Sequence, residues 1–178
     1  MKLLYQRGRK MINKNQIFIA AYGQTTIDHI NQLKNLFYKN NLNPRFFDSL
    51  SFREERNHVD LLDREAQSLI RNKEKKEILK SNLFILIVSP VGYRGNTSIS
   101  NWLDDFYYAE EQGIPIVCVH TQESHYIRIN GSQSMRALKS SLALWVEMKE
   151  EKVIWAYKNW PEKNKLYTLN REKGAQYY

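Results

Sequence analysis

Two adjacent carboxylates, Asp104 and Asp105, follow Trp102 in a segment whose apolar residues recur at helical spacing. At about 100° per residue, Trp102, Phe106 and Ala109 fall on one stripe, which we expect to face a sheet. Asp105 lies about 60° from Trp102 on the flank of that stripe, whereas Asp104 points roughly to the opposite side. Asp105 is therefore the carboxylate expected to lean over the strand ends, where it could act on a ligand.

The same two acids also have a purely structural interpretation. Asn101 can cap the helix, and acidic residues in a first turn interact favourably with the positive end of the helix dipole. Under this interpretation Asp104 and Asp105 only stabilise the start of the helix. The sequence leaves both interpretations open.

Aromatic and polar side chains near the ends of predicted strands could hold a ligand beside Asp105. Tyr22, Tyr93 and Trp102 could stack on a flat ring. Ser89 could bond a ligand or only its own loop, and the aromatic residues could equally serve packing. The residues predicted to bind substrate are Ala21, Tyr22, Ser89, Tyr93, Asn101 and Trp102.

A metal site is not predicted. The chain has 4 histidines and 1 cysteine, and no two histidines have the i, i+4 spacing of a helical ligand pair. His120 ends a predicted strand, where a structural hydrogen bond is its default role. Cys118 lies inside an apolar strand and is expected to be buried.

Apolar runs alternate with helical patterns along the chain, and these elements must position the residues above. Helices are predicted from about residue 27 to residue 39 and at about 59–80, 101–112 and 132–148, with a loop at 49–57. Strands are predicted at 17–21, 45–48, 83–89, 114–120 and 152–157. Strands separated by helices form βαβ units, so we expect a parallel sheet of about five strands with helices on both faces.

The expected ligand site follows from this arrangement. In an open parallel sheet, ligands bind at the carboxyl ends of the strands, where the strand order switches. The segments expected to meet there are 20–24, 89–101 and 120–122.

The positive charge is concentrated at one end of the chain. The 178 residues carry 27 Lys+Arg and 19 Asp+Glu, a formal charge of +8. Residues 1–16 contain five basic residues and no acid, so the rest of the chain carries only +3. We interpret residues 1–15 as a solvated basic arm, 16–158 as an α/β domain and 159–178 as a C-terminal extension, and we do not expect a nucleic acid partner.

Composition and cysteine content predict a folded cytoplasmic protein. Hydrophobic residues make up 42 % of the chain and charged residues 26 %, which is typical of globular domains. No stretch approaches the ~20 apolar residues of a membrane span, and the N-terminal segment lacks the apolar core of a signal peptide. We therefore expect no membrane partner, and a single cysteine, which cannot form an internal disulfide, favours a reducing compartment.

Two further groups of residues have alternative interpretations. The charged run 71–76 is predicted to be the solvent-exposed face of a helix with i, i+4 pairs, and the alternative is that Glu74 and Glu77 orient a ribose. Trp145, Trp155 and Trp160 predict an additional hydrophobic layer, and the alternative is a self-association surface.

Four segments occur in the order of a known family. They are the strand 17–21, the strand end Ser89-Pro90, the helix start from Ser98 to Trp102, and the Gly-Ile-Pro-Ile strand at 113–116. Over about residues 16–120 this set resembles the Toll/interleukin-1 receptor (TIR) domain, in particular bacterial TIR-like proteins of antiviral defence systems such as Thoeris. The resemblance implies a flavodoxin-like three-layer α/β sandwich. In the enzymatic branch it implies cleavage of the nicotinamide–ribose bond of NAD, in some members with release of cyclic ADP-ribose-type signals.

Asp105 is the catalytic residue under this resemblance. Enzymatic TIR domains carry a glutamate on this helix, which corresponds to Asp105 counted back from Gly113 and to Phe106 counted forward from Trp102. NAD would be the substrate, so no cofactor is expected. Partners would be a second copy of the chain in a homo-oligomer or another signalling protein. The replacement of Glu by Asp favours the alternative of a catalytically degenerate signalling or interaction module.

A second family matches the same helix. The segment 105–109, Asp-Phe-Tyr-Tyr-Ala, and the segment 113–115, Gly-Ile-Pro, resemble the Glu-x-x-x-Ala and Gly-x-Pro pattern of nucleoside 2-deoxyribosyltransferases. In that family the carboxylate attacks the anomeric carbon as a nucleophile. Both families thus imply a carboxylate acting at an oxocarbenium-like centre, as in glycoside chemistry.

Overall fold

Six parallel strands in the described part of the chain form one sheet in the order β2-β1-β3-β4-β5-β6. The computed structural model describes residues 15–22, 27–88, 99–121, 143–167 and 176–177, without the side chains of 22, 99–103, 163–167 and 176–177. The strands are β1 (Gln16–Tyr22), β2 (Arg45–Asp48), β3 (Leu83–Val88), β4 (Ile116–His120), β5 (Ala143–Glu147) and the two-residue β6 (Gln176–Tyr177). The five longer strands have the 2-1-3-4-5 order of flavodoxin-like folds, so the predicted fold class is confirmed.

Helices cover both faces of the sheet. They are α1 (Ile27–Lys39), α2 (Ser49–Asn57), α3 (Arg64–Lys80), α4 (Ile99–Glu111) and α5 (Glu150–Tyr167). Buried residues of α2, α3 and α4 form one core with the sheet, and those of α1 and α5 form a second core on the other face. None of the helices in the described ranges has the length and apolar character needed to cross a lipid bilayer.

The central strand β3 shows why the sheet is buried on both sides. All six of its residues are buried, as expected of a parallel strand covered by helices. Alternate side chains enter opposite cores: Phe84 packs beneath α2–α4, whereas Ile85 packs beneath α1 and α5. This two-sided burial explains the uninterrupted apolar run in the sequence.

The loop predicted at 49–57 is wrong, because this segment is helix α2. Asp48 caps the helix: its Oδ1 accepts hydrogen bonds from the Ser51 backbone N–H and hydroxyl, each at 2.9 Å. Phe52 anchors it by stacking on Phe18 with 6.2 Å between ring centroids. Only two apolar residues, Leu50 and Phe52, lie in this polar helix, so apolar periodicity could not identify it. The next helix begins at Arg64 behind the Asp63 cap, later than the predicted residue 59.

The helix predicted at 132–148 and the strand predicted at 152–157 are also wrong where the structure describes them. Residues 143–147 form β5, paired with β4, and residues 150–167 form α5. Val153, Ala156 and Trp160 are buried at i, i+3 and i+7, which is helical spacing. The prediction failed because a short apolar run such as 152–157 fits both a buried strand and one segment of a longer helix.

The tryptophans with described burial belong to the interior. Trp145 is 4 % exposed and Trp160 is 2 % exposed, and Trp155 packs against the second core. Trp145 belongs to the core beneath α2–α4 and Trp160 to the core beneath α1 and α5, so the tryptophans do not form the one additional layer predicted from the sequence. Trp145 and Trp160 are buried and not available for a self-association surface. Helix α5 continues through residue 158, where the boundary of the C-terminal extension is predicted.

Candidate active site on helix α4

The carboxyl ends of three neighbouring strands meet at one edge of the sheet. Tyr22 of β1 is in register with Val88 of β3, and Val88 is in register with His120 of β4. The strand order reverses between β1 and β3, since β2 lies on the outer side of β1. This is the switch point at which open parallel sheets bind ligands.

Helix α4 connects β3 to β4 and turns one apolar stripe toward the sheet. Phe106 and Ala109 are 0 % exposed, as the spacing predicts, and Asp104 is exposed on the other side. Gly113, with a φ of 69°, ends the helix, and the Ile114 N–H donates to the Ala109 carbonyl at 2.9 Å. Positive φ explains the glycine at this position.

Asp105 lies deep in the cleft between α4 and α3, with 0 % of its surface exposed. It stands six residues before the end of α4, about 9 Å up the helix at 1.5 Å per residue. The next residue, Phe106, packs edge-on against Phe84 near the start of β3, with 6.5 Å between ring centroids. This turn of α4 therefore lies against the body of the sheet.

A network of four charged side chains, two buried carboxylates and two half-buried arginines, joins three helices around Asp105. Arg71 of α3 donates from Nη1 to Asp105 Oδ1 and to Glu74 Oε2, the latter at 2.7 Å. Arg56 of α2 donates from Nη1 to Glu74 Oε2 at 2.7 Å. Both carboxylates are fully buried, so each needs these partners to offset the loss of hydration.

The network leaves three buried polar atoms without partners. Asp105 Oδ2, Glu74 Oε1 and Arg71 Nη2 make no hydrogen bond within the part of the chain that the structure describes. Unsatisfied buried polar atoms are uncommon in native proteins and cost free energy. These three atoms leave the network incompletely satisfied by the described residues.

Burial and charge together alter the ionisation of this site. Burial raises the pKa of Asp105 from 3.8 to about 7, and the negative charge of Glu74 adds to the rise. The charge and hydrogen bond of Arg71 and the charge of Arg56 act in the opposite direction without cancelling it. Burial lowers the pKa of Arg71, but the charges and hydrogen bonds of Asp105 and Glu74 outweigh it and raise that pKa, so Arg71 remains a cation.

The prediction that residues 71–76 form a solvent-exposed face is wrong for Glu74, which is 0 % exposed. The sequence did contain a signal for its burial. Ile70, Glu74 and Ile78 recur every four residues on one side of α3, and all three are buried. The apolar flanks at i−4 and i+4 indicate that Glu74 faces the core, and charge alone concealed this.

The predicted substrate-binding residues are only partly within the described structure. Ala21 is 6 % exposed, and its N–H donates to Ser49 Oγ at 3.2 Å, which ties the end of β1 to α2. Tyr22 ends β1, and Asn101 and Trp102 lie in the first turn of α4, all three without described side chains. Ser89 and Tyr93 lie outside the described residues. The structure thus places Ala21 and Tyr22 of β1 beside the end of β3. The substrate-binding roles of these residues stay predictions.

The side chains that could ligate a metal ion include those of His120 and Cys118. Within the described ranges, no three His, Cys, Asp or Glu side chains are grouped to hold a metal ion. His120 is half-buried at the end of β4. Cys118 is buried as predicted, and burial raises the pKa of its thiol, so it remains protonated.

Comparison with solved structures identifies a related fold. The chain resembles a 2-deoxyribosyltransferase of Bacillus psychrosaccharolyticus with a TM-score of 0.51 and 12 % identity, over 76 % of this chain and 88 % of that chain. At this identity the likeness shows the shared fold alone. A CMP N-glycosidase of Clostridium botulinum aligns over 80 % of this chain and 98 % of that chain at 10 % identity, and its TM-score of 0.44 is too low to carry an argument. No family model and no curated protein sequence matches the chain.

Proposed function

We propose that this protein breaks the N-glycosidic bond of a nucleoside or nucleotide, with Asp105 as the carboxylate that acts at the anomeric carbon. The observation that carries this proposal is the bonding of Asp105: Oδ1 is held by Arg71, and Oδ2 has no partner among the described residues. A carboxylate held through one oxygen has the other available to attack or stabilise an electron-poor carbon.

The chemistry proceeds as a double displacement. The Asp105 carboxylate attacks C1′ of the sugar, and the carbon–nitrogen bond breaks as the base leaves with its electron pair and takes up a proton. A second base or water then attacks C1′ and regenerates the carboxylate. Attack by a base gives an exchanged nucleoside, whereas attack by water gives the free sugar.

Deoxynucleosides are the substrates that we favour. The support is the fold shared with a 2-deoxyribosyltransferase together with the resemblance of segments 105–109 and 113–115 to that family's pattern. NAD, the substrate implied by the TIR resemblance, presents the same type of bond at an anomeric carbon. It is therefore the second substrate to be assayed.

A non-catalytic binding or signalling module is the second candidate function, and the complete burial of Asp105 favours it. A side chain that is 0 % exposed meets a nucleoside only if its neighbours separate. In this alternative the four charges only join α2, α3 and α4. An aspartate in place of the family's glutamate agrees with this alternative, because the aspartate side chain is one methylene shorter and extends less far toward a sugar.

The two candidates are separated by a parallel assay of the purified protein. One reaction contains a deoxynucleoside and a free acceptor base, and the other contains NAD; chromatography measures exchanged nucleoside, released base and nicotinamide. We expect products from the deoxynucleoside, with the rate reduced about 100-fold or more in Asp105→Ala and Asp105→Asn. Asp104→Asn alters the exposed neighbour on the same helix and should retain the wild-type rate.

Each outcome has a clear meaning. Release of nicotinamide without base exchange would replace deoxynucleosides with NAD as the substrate. A wild-type protein inactive on both substrates would support the binding module. Full activity of Asp105→Asn would remove Asp105 from the catalytic role.

A further inference from the structure

The charged groups around Asp105 come from two helices other than its own. Helix α3 contributes Arg71 and Glu74, and α2 contributes Arg56. The sheet contributes Phe84, Leu86 and Val88 to this core, together with the buried thiol of Cys118, whose pKa burial raises. On α4 itself Asp104 is exposed, and Tyr108 lies beneath the Lys75 ammonium at 5.3 Å.

Arg71 is shared between two carboxylates in a way that orders the site. Its Nη1 contacts Oδ1 of Asp105 and Oε2 of Glu74, so one guanidinium nitrogen bridges both acids. The same Glu74 oxygen also accepts a hydrogen bond from Arg56 Nη1 at 2.7 Å. The chain of contacts alternates in sign from Arg56 to Glu74 to Arg71 to Asp105, and Asp105 is its last member, with one oxygen that no described residue contacts.

We propose that Arg71 and Glu74 are positioning residues for Asp105, an inference that rests on the proposed catalytic role of that carboxylate. Arg71 holds Oδ1 and so fixes the carboxylate, while Oδ2 has no hydrogen-bond partner among the described residues. Glu74 also pairs with Arg71, so Arg71 stabilises the negative charge of Asp105 less than it would if it contacted Asp105 alone. The Asp105 carboxylate therefore keeps more of its reactivity as a nucleophile. Arg56 in turn compensates the charge of Glu74, which would otherwise be buried without sufficient pairing.

The two positioning residues should act on Asp105 with opposite sign. Removing the negative charge of Glu74 makes ionisation of Asp105 easier, whereas removing the positive charge of Arg71 makes it harder. Opposite shifts show that the two residues are coupled electrostatically to Asp105, which a network with a purely structural role would also show. A positioning role requires in addition that kcat falls in these variants at pH values where Asp105 is fully ionised.

The experiment combines a pH–rate profile with a ¹³C NMR titration of the Asp105 carboxyl, assigned by comparison with Asp105→Asn. We expect the midpoint to move to lower pH in Glu74→Gln and to higher pH in Arg71→Met, by about one unit or more in each case. Lys73→Gln is the matched control, because Lys73 is an exposed cation of the same helix that pairs with Glu55; its midpoint should equal that of the wild type.

Two further variants keep the inference testable if Glu74→Gln or Arg71→Met does not fold. Arg56→Gln leaves the contact between Arg71 and Asp105 intact and should move the midpoint to higher pH. Arg71→Lys retains the charge, so its midpoint should stay closer to the wild type than that of Arg71→Met, while the loss of the planar fork lowers kcat.

The failures of this inference and of the proposed function are distinguishable. Midpoints that do not move, or that move in the same direction in Glu74→Gln and Arg71→Met, would overturn the positioning roles even in an active enzyme. An inactive wild-type protein whose NMR midpoints move in opposite directions would instead contradict the proposed function, and it would reduce Arg71 and Glu74 to electrostatic partners of a non-catalytic carboxylate.

Discussion

Asp105 illustrates how burial changes the chemistry of a single residue. An exposed aspartate is ionised at neutral pH, whereas burial beside Glu74 raises the pKa of Asp105 to about 7. Near neutrality this carboxyl is therefore divided between its two protonation states. Buried acids with raised pKa values occur often at functional sites, which agrees with the proposed role.

The rate of glycosidic-bond cleavage should depend on the ionisation of this residue. The attacking form is the carboxylate, so kcat should rise as the pH increases through about 7 and should level off above it. Rates measured from pH 5 to pH 9 check this expectation, with the product followed by chromatography. A rate that falls across this range would assign the protonated form of Asp105 to the reaction.

Protein stability should also depend on the ionisation of Asp105. Its pKa is higher in the folded state than the ordinary value of 3.8, so the folded state binds the proton more tightly. The stability gained from the neutral form is fully present below about pH 4 and is lost as the pH rises through about 7. Urea unfolding of wild type and Asp105→Asn should therefore show the variant gaining relative stability over this range. Parallel stability curves would contradict the raised pKa.

Among the elements, α2 shows how a short polar helix is held in place to support the site. It presents Arg56 to Glu74, while Asp48 caps its first turn. Asp48 Oδ2 also pairs with Lys34 of α1 at 3.2 Å. A single carboxylate thus starts α2 and connects it across the edge strand β2 to a helix on the other face of the sheet.

Removal of the Asp48 cap should lower the free energy of unfolding more than removal of an exposed cap. We expect Asp48→Ala to lower the free energy of unfolding by about 2 kcal/mol, because a buried cap and an ion pair are lost together. Asp63→Ala is the matched control: Asp63 caps α3 through the Ala66 N–H at 2.9 Å but is exposed, and its loss should cost about 1 kcal/mol or less. Equal costs in urea unfolding would show that the Lys34 pair and the burial of Asp48 add nothing.

In the molecule as a whole, two hydrophobic cores lie on opposite faces of one sheet. The core beneath α2–α4 contains Ile70 and Ile78, which flank Glu74, and Phe106, which follows Asp105. The core beneath α1 and α5 is a separate cluster. Trp160, on α5 beyond residue 158, is 2 % exposed in this second core. Its burial makes the C-terminal part of α5 a contributor to the stability of the sheet.

Truncation of Trp160 tests this contribution. Trp160→Ala should lower the free energy of unfolding by about 3–5 kcal/mol, because it leaves a large cavity in a packed core. Leu62→Ala is the control, since Leu62 is 87 % exposed and its loss should change stability by less than about 0.5 kcal/mol. A change in Trp160→Ala as small as that of the control would show that α5 does not stabilise the fold.

Local patterns in the sequence were sufficient for the fold class and for part of the site. The apolar runs at 17–21 and 83–89 and the helical spacing between them predict parallel strands covered by helices. The angle between Asp105 and the Phe106 stripe predicts which of two neighbouring acids faces inward. These properties follow from the periods of the helix and the strand, which are encoded by residues a few positions apart.

Only the tertiary structure decided what surrounds Asp105 and which apolar segment became β5. Arg71 and Asp105 are 34 residues apart in the chain, and their contact depends on how α3 packs against α4. The run at 143–147 is a strand because β4 offers it an open edge, a fact that no local spacing contains. Burial likewise arises from packing, so the pKa of Asp105 and the burial of Glu74 appear only once the helices close over the sheet.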